Sequence, residues 1–136
     1  MALVVDASVA AAWAFKEEHA TAELAFVRIQ TEEAVVPALW WYELRNVLLI
    51  GERRGRLREE ETVQFLRDLA RLSVAIDNSP DELAVMMLAR KHRLTVYDAA
   101  YLELAVRERL PLATLDRALV EAARAEGVAL LSDASA

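Results

Sequence analysis

The 136-residue chain contains no cysteine, only two histidines, and three residues each of glycine and proline. Without cysteine it can form no disulfide, no thiolate metal site and no cysteine nucleophile. His19 and His92 are too few for a metal site built mainly from imidazoles. Any metal site must therefore rely on carboxylates, which favours hard cations such as Mg²⁺ or Mn²⁺.

Long apolar runs and an excess of positive charge are also missing. No stretch approaches 18 uncharged apolar residues, and no basic segment precedes an apolar run at the N-terminus. We therefore expect a cytoplasmic protein with no signal peptide and no transmembrane helix. The net charge of −6 argues against a cationic coat that binds nucleic acid over a broad surface. It is compatible with an enzyme that meets a phosphate through a bound cation.

An apolar content of 56% and the chain length fit one domain, which we place at residues 1–131, with 132–136 as a flexible tail. Short β-branched or aliphatic runs without clean alternation are typical of strands buried on both faces. Five such runs lie at residues 3–5, 34–36, 74–76, 112–114 and 128–131. Segments with helical apolar spacing separate them. The alternation predicts an α/β fold with a central parallel sheet of about five strands flanked by helices.

The segment from about residue 37 to residue 72 departs from this alternation. Its apolar residues recur at helical spacing on both sides of residues 51–57, where two of the three glycines lie. No strand-like run separates the two halves. The segment therefore predicts a helical hairpin inserted on the sheet, with its turn near residues 51–57.

Four acidic residues occupy corresponding places along the predicted elements. Asp6 ends the first strand, Asp116 follows the fourth, Asp98 opens a helix, and Glu43 lies about two turns into the helix after the second strand. Because ligands of parallel sheets bind outside the carboxyl ends of the strands, we expect these four carboxylates to converge. Without a basic partner they repel one another. Either some are protonated with a raised pKa, or a divalent cation neutralises them.

Each acid also has a simpler interpretation. An aspartate after a strand commonly forms a turn or caps a helix, which applies to both Asp98 and Asp116. A single glutamate such as Glu43 is most often a solvated helix residue. The functional hypothesis therefore depends on the four acids taken together, at matching ends of different elements.

Four short segments resemble a known family. They read VVDAS at residues 4–8, YELRNVL at 42–48, YDAAYL at 97–102 and ATLDRAL at 113–119. In this order, on a chain of this length, they resemble the PIN-domain nucleases, and specifically the VapC toxins of type II toxin–antitoxin systems. The resemblance runs from about residue 3 to residue 131.

This resemblance implies a three-layer PIN-like fold and a Mg²⁺- or Mn²⁺-dependent endoribonuclease that acts as a toxin. Its catalytic and metal-binding acids would be Asp6, Glu43, Asp98 and Asp116. Supporting polar residues would be Ser8, Asn46 and Thr114, whose alternative role is local capping and turn formation. The family often carries a further acid about one turn after the last aspartate, where this chain has Leu119 and Val120. The implied partners are an RNA substrate, a small VapB-like antitoxin and a second copy of the chain.

Two further interpretations stay open at the level of sequence. The basic residues at the predicted hairpin turn are Arg53, Arg54, Arg56 and Arg58. Guanidinium groups suit phosphate, so the turn is a candidate contact for RNA or a partner. These arginines could equally be solvated and paired with neighbouring glutamates. The missing fifth acid also leaves an alternative function, a metal-binding but weakly catalytic domain that acts mainly through protein interaction.

Overall fold

The computed structural model describes residues 1–131 and contains a four-stranded parallel sheet. Its strands are β1 (Ala2–Val5), β2 (Glu33–Pro37), β3 (Val74–Asp77) and β4 (Leu112–Ala113). They lie in the order β3-β2-β1-β4, with Leu3 opposite Ala34 and Val4 opposite Leu112. The predicted parallel α/β architecture is confirmed.

The predicted fifth strand at residues 128–131 is reduced to a single parallel bridge between Leu130 and Leu112. The Leu112 N–H donates to the Ala129 carbonyl at 2.9 Å, and the Leu131 N–H donates to the Leu112 carbonyl at 3.0 Å. β4 is two residues long, so it offers this segment room for a bridge rather than a ladder. The tail predicted at residues 132–136 lies outside the described residues.

Seven helices connect and cover the strands in this part of the chain. They are α1 (Ala7–Phe15), α2 (Ala20–Arg28), α3 (Leu39–Arg53), α4 (Glu59–Leu69), α5 (Glu82–His92), α6 (Val96–Glu108) and α7 (Arg117–Ala125). Helices α3 and α4 follow each other without a strand, as the helical hairpin predicted at residues 37–72 requires. Within residues 1–131 we find no helix with the length and hydrophobicity needed to cross a membrane.

Two apolar cores, one on each face of the sheet, make the fold three-layered. Val4 and Leu112 belong to the core that α3 to α7 cover, whereas Leu3, Val5 and Ala34 belong to the core that α2 covers. Helix α1 contributes buried residues to both cores. Neighbouring residues of β1 therefore face opposite cores. This two-sided burial explains why the strands read as continuous apolar runs without alternation.

Candidate active site

The four acids singled out in the sequence lie where the chain leaves the sheet or enters a helix beside it. Asp6 directly follows β1, and Asp116 comes shortly after β4. Glu43 lies in the second turn of α3, which begins just after β2, and Asp98 lies in the first turn of α6. Because β1, β2 and β4 are parallel, their carboxyl ends lie at one edge of the sheet. Helix α6 packs against all three of these strands.

Asp6 is held by neutral hydrogen-bond donors in a nearly closed environment. Its residue surface is 5% exposed. Its Oδ1 accepts hydrogen bonds from the Ser8 hydroxyl at 2.6 Å and from the Val9 N–H at 3.2 Å, and its Oδ2 accepts one from the Thr114 hydroxyl. The bond from Val9 makes Asp6 the N-cap of α1. Burial raises the pKa of Asp6 to about 6, although all three donors act to lower it.

The hydroxyls of Ser8 and Thr114 also connect Asp6 to the loop that carries Asp116. The Ser8 Oγ accepts a hydrogen bond from the Leu115 N–H at 3.0 Å, and the Thr114 Oγ1 accepts one from the Asp116 N–H at 3.0 Å. Each hydroxyl therefore donates to a carboxylate oxygen and accepts from the neighbouring backbone. This arrangement fixes the Asp6 carboxylate relative to the start of α7.

The capping interpretation holds for one of the two helix-start aspartates. The Asp116 carboxylate accepts a hydrogen bond from the Leu119 N–H at 3.1 Å and so caps α7. Helix α6 is instead capped by Thr95, whose Oγ1 accepts a hydrogen bond from the Asp98 N–H at 3.1 Å. The prediction that Asp98 opens this helix is therefore wrong, because the helix already begins at Val96. The carboxylate of Asp98 is not the cap of α6.

The four carboxylates influence one another electrostatically. Burial raises the pKa of Asp98, and the charge of Asp116 raises it further. Burial likewise raises the pKa of Glu43, with a smaller contribution from the charge of Asp98. Asp116 also adds to the raised pKa of Asp6. Within residues 1–131, no lysine or arginine forms an ion pair with any of the four.

The donor set fits a hard divalent cation, although the carboxylates do not form a closed cage. Among residues 1–131, no three acidic or histidine side chains are close enough together to hold one metal ion. Mg²⁺ keeps several waters and needs one or two carboxylates plus substrate oxygens, so it suits a sparse group of acids. Neighbouring acids with raised pKa values and no basic partner are the electrostatic setting that such a cation relieves.

Tyr101 is part of this site and was missed as a functional residue in the sequence. Its hydroxyl donates a hydrogen bond to Glu43 Oε1 at 2.6 Å. Burial and the neighbouring Glu43 carboxylate raise the pKa of the phenol well above its usual range, so it stays a donor. Its position three residues after Asp98 places both on the same face of a helix, which is the one signal that could have identified it.

The structure does not bring the other predicted polar residues to the acids. Asn46 is exposed on α3 and, within the described chain, makes no hydrogen bond to any of the four carboxylates. Arg53 ends α3, about 15 Å along the helix axis from Glu43, and Arg54, Arg56 and Arg58 follow it before α4 begins. Arg56 pairs with Glu17 at 2.9 Å and Arg58 with Glu61 at 3.4 Å.

The chain is similar in sequence and in structure to known proteins over most of its length. Residues 3–125 match the PIN domain family. A relative from Pyrobaculum aerophilum, named ribonuclease VapC3, is 41% identical over 124 residues, which cover 89% of this chain and 94% of the relative. The crystal structure of PAE2754 from the same organism has a TM-score of 0.69 and 27% identity, and the match covers 90% of this chain and 87% of that one. The chain belongs to the PIN-domain family and resembles a VapC-type ribonuclease over most of its length.

Proposed function

We propose that this protein is a metal-dependent endoribonuclease that hydrolyses RNA phosphodiester bonds and acts as the toxin of a toxin–antitoxin pair. The observation that carries this proposal is the group of four mutually influencing carboxylates without a basic partner, in a chain of the PIN-domain family. The 41% identity to a protein named ribonuclease VapC3 supports RNA as the substrate.

In this proposal, Asp6, Asp98 and Asp116 would hold one Mg²⁺ or Mn²⁺, one or two of them directly and the rest through its bound waters, since no three acids of residues 1–131 are close enough to ligate one ion together. Glu43 would hold a second ion or orient a water. When bound, such a cation lowers the pKa of a bound water and polarises the phosphate. The Ser8 and Thr114 hydroxyls keep the Asp6 carboxylate in one orientation through the hydrogen bonds described above. Asn46 would act only as a more distant polar residue, since it makes no hydrogen bond to the acids within residues 1–131, whereas Arg53, Arg54, Arg56 and Arg58 are exposed and would contact RNA or a partner protein.

Hydrolysis of this kind does not use the ribose 2′-hydroxyl as the nucleophile. The preference for RNA must then come from contacts around the acids rather than from the reaction itself. A single-stranded or looped segment is the expected substrate, because its phosphate can reach acids at the edge of a sheet. We further propose that the protein acts in the cytoplasm, as a homodimer that a small VapB-like antitoxin holds inactive.

The test is RNA cleavage by purified protein in Mg²⁺ or Mn²⁺, compared with EDTA and with the Asp98→Ala variant. We expect cleavage that requires the cation and is lost in the variant, with a circular dichroism spectrum unchanged from the wild type. Loss of several kcal/mol of charge stabilisation corresponds to a rate decrease of about 10³-fold. Cleavage that survives in Asp98→Ala would reject the proposed site.

A second candidate is favoured by one feature of α7. Leu119, at a position where the family often has a fifth acid, is fully buried in the core. A metal-binding but weakly catalytic domain that acts by protein interaction would have such a site. The same assay separates the two functions, because this second candidate binds Mn²⁺ without cleaving a broad pool of RNA.

A further inference from the structure

Tyr101 places a fixed hydrogen-bond donor beside the acids. Its residue surface is 1% exposed, and its ring belongs to the larger of the two apolar cores. The hydroxyl reaches across 58 positions of sequence to donate to Glu43 Oε1 at 2.6 Å. A ring packed on all sides loses its rotamer freedom. The phenol oxygen is therefore a rigid reference point, whereas the glutamate side chain is flexible and only half buried.

The two helices that carry this pair are themselves anchored in the core. On α3, Leu44 follows Glu43 directly and is fully buried. On α6, Leu102 follows Tyr101 directly and is also fully buried. The hydrogen bond therefore joins two packed helices at the point where one of them presents an acid. Asp98 lies one turn earlier on α6. This helix therefore carries the Asp98 carboxylate and, through Tyr101, also hydrogen-bonds the Glu43 carboxylate.

The chemistry of the donor matters as much as its position. A lysine or arginine at this place would neutralise Glu43 and compete with any cation. A phenol orients the carboxylate but leaves its negative charge in place. With Oε1 engaged by Tyr101, Oε2 is the oxygen of Glu43 left for a cation or a water, and no hydrogen bond occupies it within residues 1–131.

We propose that Tyr101 is a positioning residue that fixes Glu43 through its hydroxyl, so that Oε2 of Glu43 acts on a cation or on the attacking water. This inference rests on the proposed function, but it concerns a residue outside the four acids. It predicts that the hydroxyl matters only while the Glu43 carboxylate is present.

The test is a double-mutant cycle with Tyr101→Phe and Glu43→Ala, in which Mn²⁺ itself is the probe. Mn²⁺ affinity is measured by electron paramagnetic resonance on the protein alone, and kcat and KM are measured with RNA at saturating Mn²⁺. We expect Tyr101→Phe to lower Mn²⁺ affinity or kcat about tenfold, as loss of a group that orients a metal ligand does. KM should change by less than about twofold, since the substrate is not contacted directly.

The decisive arm is the same substitution in the Glu43→Ala background, where Tyr101→Phe should have no further effect. A role in packing alone would instead give the same change in both backgrounds. Tyr97→Phe is the matched control, because this tyrosine lies on the same helix and is 62% exposed. Thermal unfolding of all variants confirms that they fold.

Unchanged Mn²⁺ affinity and kcat in Tyr101→Phe, or equal effects in both backgrounds, would overturn the inference. If the wild type binds Mn²⁺ but cleaves no RNA, the proposed function fails while the Mn²⁺ cycle still tests Tyr101. If the wild type binds no Mn²⁺ and cleaves no RNA, both proposals fall.

Discussion

Helix α6 borders two groups of carboxylates that the protein treats in opposite ways. Near its start, the Tyr101 hydroxyl donates to Glu43, and Asp98 lies within electrostatic reach of Asp116. None of these acids has an arginine or lysine partner in the described chain. Near its end, the guanidinium of Arg107 binds Glu103 at 2.7 Å and Asp77 at 2.8 Å, each through two nitrogens. One group shares an arginine within the fold, and the other has no basic partner in the described chain.

The pKa values follow this difference. Hydrogen bonding to Arg107 lowers the pKa of Asp77, the last residue of β3. Burial raises the pKa values of Asp6, Glu43 and Asp98. The charge of Asp116 adds to the effect on Asp6 and Asp98, and the charge of Asp98 adds to the effect on Glu43. A guanidinium supplied by the chain offsets the cost of burying the Asp77 and Glu103 carboxylates. Carboxylates that are kept from one are destabilising until something outside the chain neutralises them.

The largest effect is expected from breaking the neutralised group with Arg107→Met. The Glu103 side chain is 4% exposed, so losing the guanidinium leaves a buried charge without a partner. Removing one member of a buried pair costs about 3–5 kcal/mol of unfolding free energy. Urea unfolding at pH 7 measures the loss.

A matched control for this variant is Arg124→Met, which breaks an exposed pair with Glu121 at 3.2 Å. It should cost less than about 1 kcal/mol. The double variant with Arg107→Met and Glu103→Leu should recover part of the stability, because the most deeply buried charge is removed with its partner while Asp77 still loses the guanidinium. A loss below about 1 kcal/mol in Arg107→Met alone would mean that Glu103 reaches water, and the contrast between the two groups would disappear.

The next effect concerns the unneutralised group and has the opposite dependence on pH. Burial raises the pKa of Asp6 from 3.8 to about 6. Between these values the folded protein holds a proton that the unfolded chain has released. The free energy of unfolding therefore falls as pH rises through this window, by about 3 kcal/mol, and changes no further above it. Asp6→Asn should remove this fall when both proteins are unfolded in EDTA from pH 4 to pH 7.

Asp77 supplies the comparison within the same titration. Because its pKa is lowered in the folded state, its stabilising contribution is present above the unfolded pKa and is lost as pH decreases through the folded value. Asp77→Asn should therefore reduce the loss of unfolding free energy as pH decreases at the acid end. Asp6→Asn should instead reduce the loss of unfolding free energy as pH increases from pH 4 to pH 7. A constant difference between wild type and Asp6→Asn across pH 4–7 would contradict the raised pKa.

The sequence was sufficient to predict the architecture because its signals are local and repeated. Apolar runs without alternation predicted β1 and β2, and helical spacing without a strand predicted the α3–α4 hairpin. The expectation that acids follow strand ends also placed Asp6 and Asp116 correctly along the chain. Strand length was less predictable, since the number of residues in segment 128–131 that can pair depends on the length of the neighbouring strand β4.

What the sequence could not show are contacts between distant segments. Nothing local to Tyr101 indicates that its hydroxyl meets Glu43, 58 positions away in the sequence. The same is true of Arg107, whose partner Asp77 lies 30 positions earlier in the sequence. Even the α6 cap was misassigned, because Thr95 and Asp98 are both good capping residues and the backbone decides between them. Such choices depend on tertiary packing.

The smallest effect expected is stabilisation by a divalent cation added to the acids that have no basic partner. Mg²⁺ or Mn²⁺ at ten times its dissociation constant should raise the unfolding free energy by about 1.4 kcal/mol. The control is NaCl at matched ionic strength, which screens charges without occupying a site. Asp6→Asn should lose the cation-dependent rise in Tm. Arg107→Met should keep this rise despite a lower starting Tm, because Arg107 pairs with Asp77 and Glu103 rather than with the four acids of the site. A rise that disappears in both variants would instead show that the two groups are coupled through α6.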